Sequence, residues 1–280
     1  MTSTADLYGD NVGATLATTV YSRATAGERY RIPGWHDDQA REVWERLVEV
    51  GRAAGSDPNE LVLTGKSNVA GTVWRSMAMD ARVRQFAAEH EGTEIQVVTL
   101  GIGLCNRASR LADLDASWLG IDRTKVLELR SRLIPEDDTR LIDASVTEPG
   151  WIDGVDAAVP TVFVAEGLLM YLTLDDVTQI LTDIGRHMSA PARFICDSHH
   201  ASIIRRPTRS QITRRTGAVY TFGIEDSRHL AALAPGWRAV GDDDTCSPIG
   251  VGMRIASGVF RMLRGGVLYG IKTIELPNHG

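Results

Sequence analysis

One junction constrains this chain more than any other: the run Ile95-Gln96-Val97-Val98-Thr99-Leu100 passes directly into Gly101-Ile102-Gly103. Apolar and β-branched residues in such a run predict a buried strand. Two glycines at its end let the backbone turn sharply and approach a ligand with no Cβ in the way. By itself a Gly-x-Gly pair is weak, because many such pairs mark only tight turns. The next acid adds weight. Asp122 follows Gly101 by 122 − 101 = 21 residues, near the separation of about 20 at which a doubly wound sheet places an acid that accepts hydrogen bonds from ribose hydroxyls. The same residue could cap the helix expected over 125–133, and the two roles are compatible. A helix expected just beyond the glycine turn would aim its N-terminal amides at a polar or anionic group. A dinucleotide fingerprint also needs a third glycine at position 106. Asn106 stands there, which favours an adenosyl ligand without a pyrophosphate over NAD.

Strand and helix patterns alternate from Glu94 onward. Residues 117–121 and 139–142 read as strands on either side of the helix over 125–133. Residues 161–165 (TVFVA) form a continuous apolar run, as expected of a strand covered on both faces. Residues 174–188 read as a helix capped by Thr173, with Asp175 and Asp176 in its first turn. Residues 193–196 are a further strand, ending on Asp197. This alternation predicts an α/β protein with a doubly wound, mostly parallel sheet. The first ninety residues instead read as helical, over 40–50 and 73–90, with a turn at 55–59. The expected organisation is a helical cover over 1–92 packed on a ligand-binding core over 93–280, the two forming one structural domain. Residues 201–220 interrupt the alternation, and an insertion around 200–222 is read as a helical lid.

The formal net charge of −6 gives no general attraction to nucleic acid or an anionic membrane. The pairs Arg205-Arg206 and Arg214-Arg215 lack interleaved aromatics and read as solvated faces. No apolar run approaches the roughly 20 residues of a membrane span, and the polar, acidic first ten residues are unlike a signal peptide. Cys105, Cys196 and Cys246 form neither CxxC nor a Cys/His cluster. No metal site is expected, and reduced thiols in a cytoplasm are. The expected partner is a small-molecule acceptor, with no nucleic acid and no membrane, and the chain a monomer or homodimer.

Several segments carry a more specific resemblance. They are Thr18-Thr19-Val20-Tyr21-Ser22-Arg23-Ala24, residues 75–83 (RSMAMDARV), the stretch from Gly101 to Pro135, residues 160–173 (PTVFVAEGLLMYLT) with Glu-Gly-x-x-x-Tyr-Leu, and the region from Phe222 to Gly236. In this order, over residues 12–240, they resemble the leucine carboxyl methyltransferase family in its bacterial polyketide O-methyltransferase branch. The resemblance implies a Rossmann-like class I methyltransferase fold with a seven-stranded sheet. It also implies S-adenosyl-L-methionine as cofactor, and transfer of its methyl group to a carboxylate or phenol of a small natural product.

Roles follow position by position. Gly101 and Gly103 would line the methionine moiety and Asp122 would hold the ribose. Asp143, with Ala144 beside it, would receive the adenine amino group. Glu166 would lie near the ribose and sulfonium, where a negative charge suits a cationic cofactor, unless a salt bridge engages it. Arg75 matches an arginine that binds a carboxylate, though it could pair with Asp80 instead. Arg107 joins the cofactor-binding set. Here Cys105-Asn106 replace the family's acid and threonine, and Arg123-Thr124 depart from its Glu-x-Asp-x-Pro. Tyr21, Arg23 and Tyr171 are candidates for contact with the acceptor. His199 and His200 follow the fifth strand, where open α/β sheets bind ligands, and with Tyr171 they are the catalytic candidates. A phenol would benefit from a base, whereas a carboxylate is already ionised. Two other readings stay open: a methyltransferase-like protein with different or lost activity, and an NAD-dependent oxidoreductase.

Overall fold

The computed structural model describes residues 11–204 and 220–277. In chain order its elements are α1 (Asn11–Thr25), α2 (Asp38–Ala53), α3 (Lys66–Glu89), β1 (Ile95–Leu100), α4 (Arg107–Arg110), β2 (Ala116–Asp122), α5 (Thr124–Leu133), β3 (Arg140–Asp143) and β4 (Thr161–Ala165). There follow α6 (Leu174–His187), β5 (Ala192–His199), α7 (Ala201–Ile204), α8 (Ser227–Ala231), β6 (Arg238–Asp244), α9 (Val251–Arg264) and β7 (Tyr269–Leu276).

The strands form one seven-stranded sheet in the order β3-β2-β1-β4-β5-β7-β6. All neighbours are parallel except β7, which runs antiparallel to β5 and β6. The expected doubly wound, mostly parallel sheet is present. Every residue of β1 and of β4 is buried, which is why their sequences are continuous apolar runs rather than alternating ones. Period-two geometry divides their side chains between two layers. Val98, Leu100, Phe163 and Ala165 pack on one face with Ile180 and Ile184 of α6. Val97, Val162 and Val164 pack on the other with Met79, Val83 and Phe86 of α3. A third apolar cluster ties α1, α2 and the start of α3 to Leu129 and Leu133 of α5, so the N-terminal helices rest on the sheet's helical layer.

Boundaries moved where local chemistry hid them. Helix α3 starts at Lys66 rather than near Val73, because Asn68, Gly71 and Thr72 are weak helix formers. Thr173 does cap α6, in a reciprocal capping box with Asp176. Asp122 does not cap α5, whose N-cap is Arg123. The helix expected after the glycine turn is only the four residues of α4, so no helix terminus points at a ligand there. Strands β6 and β7 and helix α9 had no counterpart in the sequence reading. The expected lid falls largely on 205–219, outside the described residues.

Candidate active site

Strands β1 and β4 lie side by side while the chain leaves them toward opposite halves of the sheet, and a crevice opens beyond their carboxyl ends. It holds a cavity of about 750 Å³ whose wall includes Gly101, Gly103, Asp122, Ala144, Glu166, Arg75, Arg23, Tyr171 and His199. Residues separated widely in sequence thus share one surface.

At one end the two glycines form a cradle. Their φ angles are +64° and +49°, in the left-handed region that side chains disfavour. A Cβ on Gly103 would lie 2.6 Å from Leu16 Cδ2, and one on Gly101 3.1 Å from Leu168 Cδ1. The Gly103 amide donates to Asp122 Oδ2 at 2.9 Å, and the Arg123 amide to Oδ1 at 2.9 Å. Burial pushes the Asp122 carboxyl above its usual value, with those two amides opposing the shift.

Behind the cradle lies a buried charge network. Glu166 Oε1 accepts from Arg75 Nε at 3.1 Å and Ser76 Oγ at 2.7 Å, while Oε2 accepts from Arg107 Nη2 at 2.6 Å. Arg107 Nε donates to Asp80 Oδ1 at 2.7 Å, and Arg110 Nε to Asp80 Oδ2 at 2.8 Å. Burial alone would raise the Glu166 carboxyl, but the guanidinium groups of Arg75 and Arg107 hold it well below the carboxylate range. Arg75 Nη1 also donates to Asp197 Oδ2 at 3.3 Å and to Tyr269 Oη at 3.1 Å. Tyr269 in turn donates to Asp197, whose Oδ1 accepts the Gly167 amide at 2.6 Å. The pairing of Arg75 with Asp80 foreseen as an alternative is replaced by pairing with Glu166 and Asp197.

Arg23 joins this balance by charge alone, acting on Glu166 without a described ion pair to it. It is 4% exposed, donates through Nη2 to the Leu104 carbonyl at 2.6 Å, and leaves Nε without a hydrogen-bond partner. Burial lowers its pKa. Arg23 is thus a buried cation of the cavity wall, although its unpaired Nε is itself sealed from the cavity.

The far end of the cavity is aromatic. The His199 ring lies 4.5 Å from that of Tyr269 and 5.5 Å from that of Tyr220, which meets Tyr171 edge-on at 5.7 Å. Burial lowers the His199 pKa from the usual 6.5 and raises the hydroxyls of Tyr171 and Tyr220.

Four expected site residues lie off this wall. His200 is turned toward Phe260, ring centroids 5.0 Å apart, with Nδ1 bonded to Ser202; side chains that follow one another along an extended backbone face opposite ways. Tyr21 Oη is engaged by Tyr30 and Arg29. Arg107 is locked in the charge network, and Asp143 accepts from Thr124 Oγ1 while its neighbours Ala144 and Ser145 reach the cavity. Conversely, Asp197, Tyr220 and Tyr269 were missed as site residues. The argument that singled out Glu166, an acid closing a buried strand, applies equally to Asp197. Tyr269 follows no motif. The substituted Asn106 donates to Asp37 Oδ1 and accepts from Arg110 Nη1 at 2.6 Å, so it ties the turn to the residue that caps α2. Among the described residues no group of three or more His, Cys, Asp or Glu side chains could hold a metal ion.

The profile of the leucine carboxyl methyltransferase family matches residues 18–185. The chain belongs to this family. It is 33% identical over 230 residues to the tetracenomycin polyketide synthesis O-methyltransferase TcmP of Streptomyces glaucescens, covering 81% of this chain and 80% of that protein. It is 24% identical over 245 residues to the S-adenosyl-L-methionine-dependent methyltransferase dpfgK of Gibberella zeae, covering 79% and 78%. A crystal structure described as that of a methyltransferase from Thermobifida fusca superposes with a TM-score of 0.55 at 15% identity over 95% of this chain and 97% of that one; that likeness shows the fold. As a leucine carboxyl methyltransferase family member the chain is an S-adenosyl-L-methionine-dependent methyltransferase, which removes the NAD reading. The cofactor suits the residues present: the glycine cradle has no room for a side chain, Asp122 borders it as an acceptor, and the cationic Arg23 stands on the same wall.

Proposed function

We propose that this methyltransferase acts on an oxygen, a carboxylate or a phenol, of a small polyketide-like natural product. The observation that carries the reading is the continuity of the cavity, from the Gly101–Gly103 cradle to the aromatic wall of Tyr171, His199 and Tyr220. Such a cavity can hold two ligands side by side. When bound, the cofactor supplies an electrophilic methyl group on a sulfonium. Asp122 would hold the ribose, Ala144 would border the adenine, and Arg23 would meet an anionic group. Glu166, already neutralised by Arg75 and Arg107, would act by fixing Arg75 at the wall rather than by touching the sulfonium. Tyr171 and Tyr220 would confine the acceptor and exclude water.

His199 is the candidate base for a phenolic acceptor. Burial keeps its imidazole neutral near pH 7, as proton acceptance requires; a carboxylate acceptor would not need it. Neither His200 nor Tyr21 takes a role in this reading. The N-terminal helices serve as the cover, and three free cysteines suit a reducing cytoplasm. The relationship to TcmP supports the acceptor class. The test is transfer of labelled methyl from S-adenosyl-L-methionine to matched hydroxy- and carboxy-anthraquinones. His199→Asn should cut transfer to the phenol by about 10²–10⁴-fold and spare the carboxylate. No transfer to either oxygen class would overturn the reading.

A further inference from the structure

Two buried guanidinium groups grip the turn that leaves β1, and they come from opposite sides of it in sequence. Arg23 of α1 donates to the Leu104 carbonyl at 2.6 Å. Arg130 of α5 donates through Nη1 to the carbonyls on either side, Gly103 at 3.0 Å and Cys105 at 2.7 Å. Three consecutive carbonyls are thereby held by side chains. Arg130 is 1% exposed and lies behind the cavity wall rather than on it. Its Nε and Nη2 both meet Asp137 Oδ2, Nε at 2.9 Å. Asp137 is itself fixed through Oδ1, which accepts from the Thr139 amide at 3.2 Å and hydroxyl at 2.7 Å. A chain of bonds so runs from the residue before β3 through α5 to the glycine turn. The Gly103 amide extends it to Asp122 at the end of β2.

We propose that Arg130 is a positioning residue for cofactor binding, fixing the glycine turn in the shape that the cofactor meets. Glycine permits the positive φ of Gly101 and Gly103 but supplies no rigidity, because it has more backbone freedom to lose than any other residue. The helix beyond the turn is too short to hold it, α4 being four residues long. Arg130 supplies the constraint from behind. One planar fork spans a carboxylate and two carbonyls, which the compact ammonium of a lysine on its flexible stem cannot do at once. The charge of Arg130 has a second effect. Burial raises the Asp122 carboxyl, and the Gly103 and Arg123 amides oppose it together with the charges of Arg123 and Arg130. The other carboxylate beside Asp122 is that of Asp143, its register partner on β3. Both effects presuppose the cofactor seated at the Gly101–Gly103 cradle, and the second presupposes Asp122 at the ribose.

Calorimetry of the full chain with S-adenosylhomocysteine tests this on Arg130→Lys and Arg130→Gln, with Arg193→Gln as the reference. Arg193 is 3% exposed and paired with Glu89 at 2.7 Å and Glu275 at 3.1 Å, near the amino end of β5 and away from the cavity. Both Arg130 variants should bind about tenfold or more weakly, the equivalent of one charge-assisted hydrogen bond. Arg193→Gln should lose stability in chemical denaturation and keep its affinity. Lysine keeps the charge and glutamine does not. The pH below which affinity falls should therefore move up in Arg130→Gln and stay in place in Arg130→Lys. If neither Arg130 variant folds, Asp137→Asn decides, and it should weaken binding by leaving the arginine without its anchor. Unchanged affinity in the deciding variants overturns the proposal. So does an equal loss in Arg193→Gln, or an acid-side fall placed alike in both Arg130 variants. Asp122→Ala, measured alongside, separates the two readings. A loss there with none in the Arg130 variants overturns only the role of Arg130, whereas no loss in either also overturns the ribose assignment.

Discussion

Asp122 accepts the Gly103 amide at 2.9 Å, and this bond fastens the end of β2 to the turn that leaves β1. The residue proposed to hold the ribose is therefore also part of the turn that surrounds it. Asp122→Ala should weaken S-adenosylhomocysteine binding by about 1.5–3 kcal/mol for each charge-assisted hydrogen bond lost, measured by calorimetry. Asp122→Asn keeps an acceptor for the amide and should recover thermal stability more than affinity. Unchanged affinity in both variants would sink the ribose assignment.

Gly103 and Gly92 separate backbone strain from lost space. Both have positive φ, but a Cβ at Gly92 meets nothing within 4 Å, whereas one at Gly103 lies 2.6 Å from Leu16. Gly92→Ala should cost about 1–2 kcal/mol from the left-handed backbone alone and leave ligand binding intact. Gly103→Ala should cost more in denaturant unfolding and also lower cofactor affinity, because Leu16 must move into the cavity wall. Equal effects of the two substitutions would count against a tight cradle.

Glu166 lies between Arg75 and Arg107 with its side chain 9% exposed. Glu166→Gln leaves two buried guanidinium groups short of charge and should cost about 3–5 kcal/mol, visible in chemical denaturation. The pair of Arg84 with Asp113 is exposed, so Asp113→Asn should barely change stability. Because the folded-state pKa of Glu166 is depressed, its contribution is present above the ordinary carboxylate value and is lost as pH falls below it.

His199 gives a second pH signature. Burial depresses its folded-state pKa below 6.5, so the unfolded chain takes up the proton more readily and stability falls as pH drops below about 6.5. His199→Asn should flatten that part of the stability profile. If His199 is the base, transfer to a phenol should rise with pH through the depressed value and level off near neutrality. A profile identical in the variant would exclude it.

Much of the sheet was legible because β1 and β4, buried on both faces, are written as unbroken apolar runs. Asp122, Glu166 and the glycines could be found because each ends a strand at a position where the fold demands a particular residue. Tyr269 and Tyr220 could not. They reach the cavity through the antiparallel placement of β7 and through the chain that returns after position 219, neither of which leaves a local pattern. His199 and His200 were indistinguishable as neighbours in sequence; extended backbone turned one ring into the cavity and the other toward α9. Arg75 carried the right type for a carboxylate contact, but its partners come from β4 and β5.

The bond from Arg75 to Tyr269 spans 194 residues, and those from Arg75 to Asp197 and Glu166 span 122 and 91. None of these charges can be satisfied by a neighbour in the chain. The floor of the cavity is consequently among the last parts that can form as the polypeptide folds, and contacts of such long separation slow that process. Any partly folded species would hold unpaired guanidinium and carboxylate groups in water rather than in a dry interior. A pocket competent to take the cofactor should therefore appear only with global folding, and early ligand binding could not rescue a stalled intermediate.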